Sequence, residues 1–269
     1  MSIVQNTKIK KNLCLTITSS CNWDCKWCIA ETNLSASPEN RRKWDGNLMI
    51  KASNTLDRIP ADKYNSITLT GGEPGLVPKD LLINLLRKSY SKGLTIDINT
   101  NGTIFKWFND YVDAYVWQNP AMDANWIESI DTIDWHVAPD LTFDLDHFRL
   151  YNRTINQMMI QYARANIKLR PLFIISTTEV NGDNGVNGIE SFVTKWVNEI
   201  GNNVSLEFRP CLTTKSGDKT LSLTVYELLH TYRILKKMKS VFPLVISDET
   251  LFAWENAISN KKPDIYEDQ

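Results

Sequence analysis

The strands predicted along this chain are apolar on one face and polar on the other, and that limits the folds open to it. Leu13, Leu15 and Ile17 alternate with Cys14, Thr16 and Thr18. Ile67 and Leu69 alternate with Thr68 and Thr70, and Ile96 and Ile98 with Thr95, Asp97 and Asn99. Ile133, Trp135 and Val137 enclose Asp134 and His136, Lys168 and Arg170 flank Leu169, and Leu206 and Phe208 alternate with Glu207 and Arg209. Side chains alternate faces along a strand, so each of these segments offers one apolar and one polar edge. Segments of helical spacing separate them, which predicts a parallel sheet with right-handed crossovers. Parallel strands are usually covered on both faces and read as continuous apolar runs. A polar face on such a sheet either meets water, which is common for antiparallel but rare for parallel sheets, or lines a chamber, which is the expectation here, with helices covering the other face. Six strands predict an α/β fold, a partial (β/α)6 barrel rather than a closed eight-fold one.

The elements follow from local signals. Strands are predicted at 13–18, 66–70, 94–99, 132–137, 168–176 and 204–209, the last stopped by Pro210. Helices are predicted at 47–58, 78–92, 145–165, 189–200 and 225–239, with a terminal helix to about residue 260. Leu81, Leu82, Leu85 and Leu86 form the stripe of the second helix, Pro78 suits its first turn and Gly93 follows as a stop. Residues 35–45 and 181–188 read as loops. The stretch 104–130 reads as short helices and loops, with a further strand over 111–117. Leu244–Ile246 is a short apolar piece. The 269 residues form a single domain, its core over about 13–209 and a helical extension over about 210–269.

Net charge is −1, from 30 basic and 31 acidic residues, which leaves no strong signal for nucleic acid or anionic lipid. No apolar run approaches the ~20 residues of a membrane span, and no signal segment opens the chain, so a cytoplasmic protein is expected. The five cysteines are odd in number. Three of them are clustered, which favours metal binding over a disulfide framework.

Those three, Cys21, Cys25 and Cys28, have the spacing C-x3-C-x2-C and follow the first strand. Three thiolates leave one position of a four-ligand centre open. Cys14 or Cys211 as a fourth ligand would complete a zinc site, although both also suit the role of a plain thiol. Gly71-Gly72-Glu73-Pro74 follows the second strand and Thr100-Asn101-Gly102 the third. Ligands of parallel α/β folds bind at the carboxyl ends of strands, so all three motifs converge on one mouth.

The cysteine spacing with aromatic Trp27 before the third cysteine, followed in order by Gly-Gly-Glu-Pro, closely resembles the radical S-adenosylmethionine (radical SAM) superfamily. The resemblance covers about 13–209. It implies that Cys21, Cys25 and Cys28 hold a [4Fe–4S] cluster whose fourth iron takes S-adenosyl-L-methionine. It implies that Trp27 packs near the adenine and that the backbone of Gly71, Gly72, Glu73 and Pro74 meets the methionine amino group. Glycines there would permit close approach to the ligand. Asp97, Asn99, Thr100 and Asp134 occupy strand ends where the family contacts the cofactor. Reductive cleavage to a 5′-deoxyadenosyl radical, a flavodoxin or ferredoxin as electron donor, and oxygen sensitivity are further implications.

Within the family, Thr-Gly-Gly-Glu-Pro and Asn-Thr-Asn-Gly-Thr resemble the 7-carboxy-7-deazaguanine synthases. That group carries Cys-Asp-Thr at the third cysteine, where Thr helps hold Mg²⁺, whereas here the run is Cys28-Ile29-Ala30. The departure puts both Mg²⁺ and that substrate in doubt. The other similar group is the glycyl-radical-enzyme activases, which act on a protein. A small-molecule substrate is expected, with Arg170, Arg209, Glu207 and His136 as candidate contacts in the chamber. Arg170 and Arg209 suit a carboxylate anchor, or an internal pairing with Glu207 or Asp134. Trp44, Trp107 and Trp126 are candidates for a lid.

Overall fold

The computed structural model describes residues 11–23, 25, 28, 46–60, 63–137, 155–177, 180, 187–202, 204–212 and 221–260. The predicted loop at 35–45, most of that at 181–188, and the first part of the helix predicted at 145–165 lie outside these residues. So do Trp27 and Trp44.

One sheet of six parallel strands runs in sequence order: β1 (Asn12–Thr18), β2 (Ser66–Gly71), β3 (Thr95–Thr100), β4 (Ile130–His136), β5 (Lys168–Ile175) and β6 (Glu207–Pro210). The described helices are α1 (Gly46–Arg58), α2 (Lys79–Ser91), α3 (Phe105–Val116), α4 (Ile155–Arg164), α5 (Asn187–Ile200), α6 (Val225–Val241) and α7 (Asp248–Asn260). The alternation predicted from sequence is realised. Leu15, Ile17, Ile67, Leu69, Ile96, Ile98, Ile133, Trp135, Leu169 and Phe173 belong to the buried apolar core beneath the helices. On the other face, Thr16 pairs with Thr70, and Asn99, Asp134 and Arg170 share one register row. His136, Leu172 and Glu207 form the next.

Three expectations are corrected. The strand predicted over 111–117 is the second half of α3. Phe105, Phe108 and Val112 are buried at three- and four-residue spacing against Trp126, Trp135 and Tyr162, so helical periodicity overrode the β-prone composition. Trp126 and Trp107 are no lid. Trp126 is 1% exposed in the helix-side core, and Trp107 packs edge-on against Phe108 and Tyr111. The last strand also begins later than predicted, at Glu207, and includes Pro210, which an edge strand tolerates.

An open barrel exposes the edge of its last strand, a liability that proteins cover. Here the C-terminal extension covers it. Leu206 exchanges backbone bonds with the segment before α7, donating to Val245 at 2.6 Å and accepting from Ser247 at 3.1 Å. At Phe208 two α7 side chains substitute for a seventh strand. The Phe208 N–H donates to Thr250 Oγ1 at 2.9 Å, and Trp254 Nε1 donates to the Phe208 carbonyl at 3.0 Å. Both side chains are fully buried, so neither backbone group has water as a substitute. Thr250→Val keeps the shape and removes the acceptor. It should lower stability by about 1–3 kcal/mol, read as a lower urea midpoint at unchanged m-value. An unchanged midpoint would show that the edge is sealed by other contacts.

Candidate functional site

The carboxyl ends of β1, β2 and β3 carry the three motifs, and backbone and side-chain hydrogen bonds join them. The β2 loop packs directly onto the β1 loop. Gly72 N–H donates to the Thr18 carbonyl and Glu73 N–H to the Ser20 carbonyl, each at 2.7 Å. A Cβ on Gly72 would lie 2.0 Å from the Ser20 oxygen, and one on Gly71, whose φ is +123°, 2.2 Å from the Thr18 oxygen. The glycines are therefore required by loop-on-loop packing. The ligand-approach role expected of them is not what excludes a side chain here.

Glu73 is 1% exposed, and its carboxylate is the hub of the site. Oε1 accepts from the Thr100 hydroxyl at 2.6 Å and from Gly75 N–H at 2.7 Å, and Oε2 accepts from Asn101 N–H at 2.6 Å. The bond to Gly75 caps the short 3-10 turn Pro74–Leu76. Thr100 is thus engaged with the second loop. Asn101 carries the linkage on to the first: its Nδ2 lies 2.8 Å from Asn22 Oδ1 and 3.9 Å from Cys21 Sγ. Asn22 Nδ2 in turn donates to Thr103 Oγ1 at 3.0 Å. Glu73 and Asn101 lie within the strand-end motifs, and the side-chain partners that join them are not encoded by motif spacing.

Burial pushes the Glu73 carboxyl up to about 7, against the Thr100, Asn101 and Gly75 bonds, which favour the charged form. Burial likewise raises the Cys21 thiol to about 11, opposed by the Trp23 backbone bond and assisted by Glu73 and Cys28. Such a thiol keeps its proton until a positive centre replaces it. Cys28 N–H donates to the Cys25 carbonyl at 3.1 Å, so the second and third cysteines sit on one turn. Among the described residues no three His, Cys, Asp or Glu side chains close around a single ion. Three thiols on one loop are donors of the kind that an iron–sulfur cluster or a zinc ion takes. Cys14 is exposed and Cys211 buried.

Deeper in the chamber, four charges balance. Arg170 Nε lies 2.6 Å from Asp134 Oδ1 and 3.5 Å from Glu207 Oε2. Arg209 Nε donates to Glu207 Oε1 at 2.8 Å, and its Nη2 lies 3.8 Å from Asp134 Oδ2. Burial works against the Arg170 charge, but Asp134 and Glu207 outweigh it and hold its pKa above the ordinary value. Both arginines are therefore internally paired. Arg209, with 39% of its side chain exposed against 23% for Arg170, is the more accessible. His136 lies beside this group. Its Nδ1 is enclosed, and burial pushes the imidazole down to about 4, with Asp134 opposing and Arg209 assisting. It is neutral at physiological pH. Asn99 faces the chamber in the row of Asp134 and Arg170, while Asp97 lies one pleat repeat deeper, in the row of Thr68 and Thr132.

A family model described as the radical SAM superfamily matches residues 15–117, the N-terminal segment that carries all three motifs. This part of the chain is similar to the radical SAM superfamily. It is 34% identical over 82 residues to the 7-carboxy-7-deazaguanine synthase of Haemophilus influenzae, covering 30% of this chain and 32% of that protein. It is 34% identical over 94 residues to a Methanocaldococcus jannaschii protein named for glycyl-radical enzyme activation, covering 35% of each. The matches thus span about a third of the curated relatives. A solved structure described as anSMEcpe with bound AdoMet shares the fold at a TM-score of 0.50 and 15% identity, covering 87% of this chain and 63% of that one. No helix among the described residues is long and apolar enough to cross a membrane.

The Glu73 hub makes a pH-dependent prediction. Its folded pKa of about 7 lies above the ordinary 4.5, so the folded state binds the extra proton. Its stability contribution is full below the lower value and is lost as pH rises through the upper one. Between pH 5 and 8 the urea midpoint of the wild type should fall. Glu73→Gln should flatten that slope. It should also cost about 1–3 kcal/mol, since an amide cannot accept from all three donors. A variant with the wild-type midpoint and slope would refute the hub.

Proposed function

We propose that this chain is a radical SAM enzyme acting on a small, polar, carboxylate-bearing molecule. The observation that carries the reading is the physical joining of the three strand-end loops, Cys21 to Asn101 to Glu73, at one mouth above a charged chamber. Cys21, Cys25 and Cys28 would hold a [4Fe–4S] cluster, leaving one iron for the amino and carboxylate groups of S-adenosylmethionine. Such a cluster would supply the one electron for reductive cleavage of S-adenosylmethionine and so the radical chemistry that the resemblance implies.

The chain's own residues position and enclose. The backbone of Gly71–Pro74, fixed on the first loop by the bonds to Thr18 and Ser20, would receive the methionine end of the cofactor. Trp27 would lie against the adenine, and Asn99 and Asp134 would line the path from cofactor to substrate. Arg209 would anchor a substrate carboxylate, exchanging part of its contact with Glu207 for the ligand. Arg170, locked by Asp134 and Glu207, keeps that exchange from leaving a carboxylate unpaired. His136, neutral in this setting, would offer the substrate a hydrogen bond without adding a charge. A flavodoxin or ferredoxin would supply the electron. A second reading, activation of a protein partner, draws on the similarity to the Methanocaldococcus protein. It predicts deuterium transfer into 5′-deoxyadenosine from a labelled polypeptide.

Anaerobic reconstitution of the whole chain with iron and sulfide should give about four irons per chain, and reduction with S-adenosylmethionine should release 5′-deoxyadenosine. Cys25→Ala should lose both. Arg209→Ala should retain iron and the substrate-free release, and lose only the stimulation given by substrate. Stoichiometric zinc with no cleavage of S-adenosylmethionine would contradict the reading.

A further inference from the structure

Cys21 differs from an ordinary loop cysteine in the donors aimed at its sulfur. The Trp23 backbone N–H points at Sγ from 3.4 Å, a contact local to the loop. The second donor is the side-chain amide of Asn101, 3.9 Å away in space and eighty residues away in sequence. Asn101 is 7% exposed, and nearly every polar group it has is engaged. Its backbone N–H is taken by Glu73 Oε2. Its Oδ1 accepts from Thr103 N–H at 3.1 Å and from the Thr103 hydroxyl at 2.8 Å. A backbone N–H is only a donor, so the oxygen must face Thr103 and the NH₂ must face the first loop. One of its hydrogens goes to Asn22 Oδ1 at 2.8 Å. The other has Cys21 Sγ within reach.

Resting on the reading of Cys21 as a cluster ligand, we propose that Asn101 is a positioning residue for the cluster: its amide donates to the Cys21 sulfur, raises the reduction potential, and transmits the placement of the Gly-Gly-Glu-Pro loop to the metal. A thiolate in a cluster carries more negative charge than the free thiol, so the contact should strengthen on loading. Reduction adds a further negative charge, which a donor at the sulfur stabilises, and hydrogen bonds to sulfur are one lever that sets iron–sulfur potentials. The lever is mechanically tied to the second loop, because Glu73 fixes the Asn101 backbone through a 2.6 Å bond. A shift of the Gly-Gly-Glu-Pro segment would move the amide relative to Cys21. Cofactor seating and cluster potential would thereby be coupled through a single side chain.

The test is the midpoint potential of the reconstituted cluster, followed by the electron paramagnetic resonance of the reduced form. Asn101→Ala should load iron as the wild type does. At a fixed ambient potential it should show about tenfold less reduced cluster, equal to about 59 mV for a one-electron couple. Asn22→Ala, which leaves the Asn101 donor in place, should shift the potential less. Should Asn101→Ala fail to load, the decisive measurement moves to Asn22→Ala protein made with side-chain amide ¹⁵N-asparagine. A ¹⁵N coupling to the reduced cluster is then expected, and its absence overturns the inference. A fully loaded Asn101→Ala variant with the wild-type potential also overturns it, while leaving the cluster reading intact. A wild type that takes up no iron overturns the cluster reading itself.

Discussion

A buried carboxylate holds the mouth of this protein together. Glu73 is enclosed where water cannot reach it, and a group so placed must find its partners within the protein. It finds them on the second loop at Gly75 and on the third at Thr100 and Asn101. Its own backbone N–H is bonded to the first loop at Ser20. Three chain segments separated by dozens of residues are thereby fixed to one another by one residue. The lack of side chains on Gly71 and Gly72 lets the loops come close enough for this to happen.

The sheet beneath is built to leave the mouth accessible. Its apolar face is buried under helices, and its polar face carries matched charges that satisfy one another in the chamber. Asp134, Glu207, Arg170 and Arg209 form a quartet of balanced charge, each member already paired within the protein. A ligand gains affinity only by competing well for one member. The half-exposed Arg209 is the member that geometry leaves open to competition. On the far side, α7 completes β6 by side chain in place of a further strand. The barrel can thus remain open while the edge of β6 is covered.

The period-two alternation of strands such as Thr95–Thr100 was legible in the sequence because burial on one face forces it. The convergence of the three motifs followed from the parallel order. What escaped was set by tertiary packing. The helix at Phe105–Val116 looked strand-like over its second half because Tyr, Val and Trp favour either state, and only the Phe108–Trp126–Tyr162 cluster decides between them. Internal pairing of Arg170 and Arg209 with Asp134 or Glu207 was one of the readings the residues allowed, but which carboxylate meets which arginine is set by packing that no periodicity encodes. The Glu73–Asn101–Cys21 linkage joins residues 73, 101 and 21 through side-chain atoms, and the sequence holds only the motifs at its ends.

The central claim is that the three cysteines leave one position of a cluster open for a ligand held by the second loop. Mössbauer spectroscopy of protein reconstituted with ⁵⁷Fe tests it directly. Three irons should be alike and one distinct, and S-adenosylmethionine should change the spectrum of that one alone. Four irons that do not respond to S-adenosylmethionine, or iron bound singly without sulfide, would contradict it.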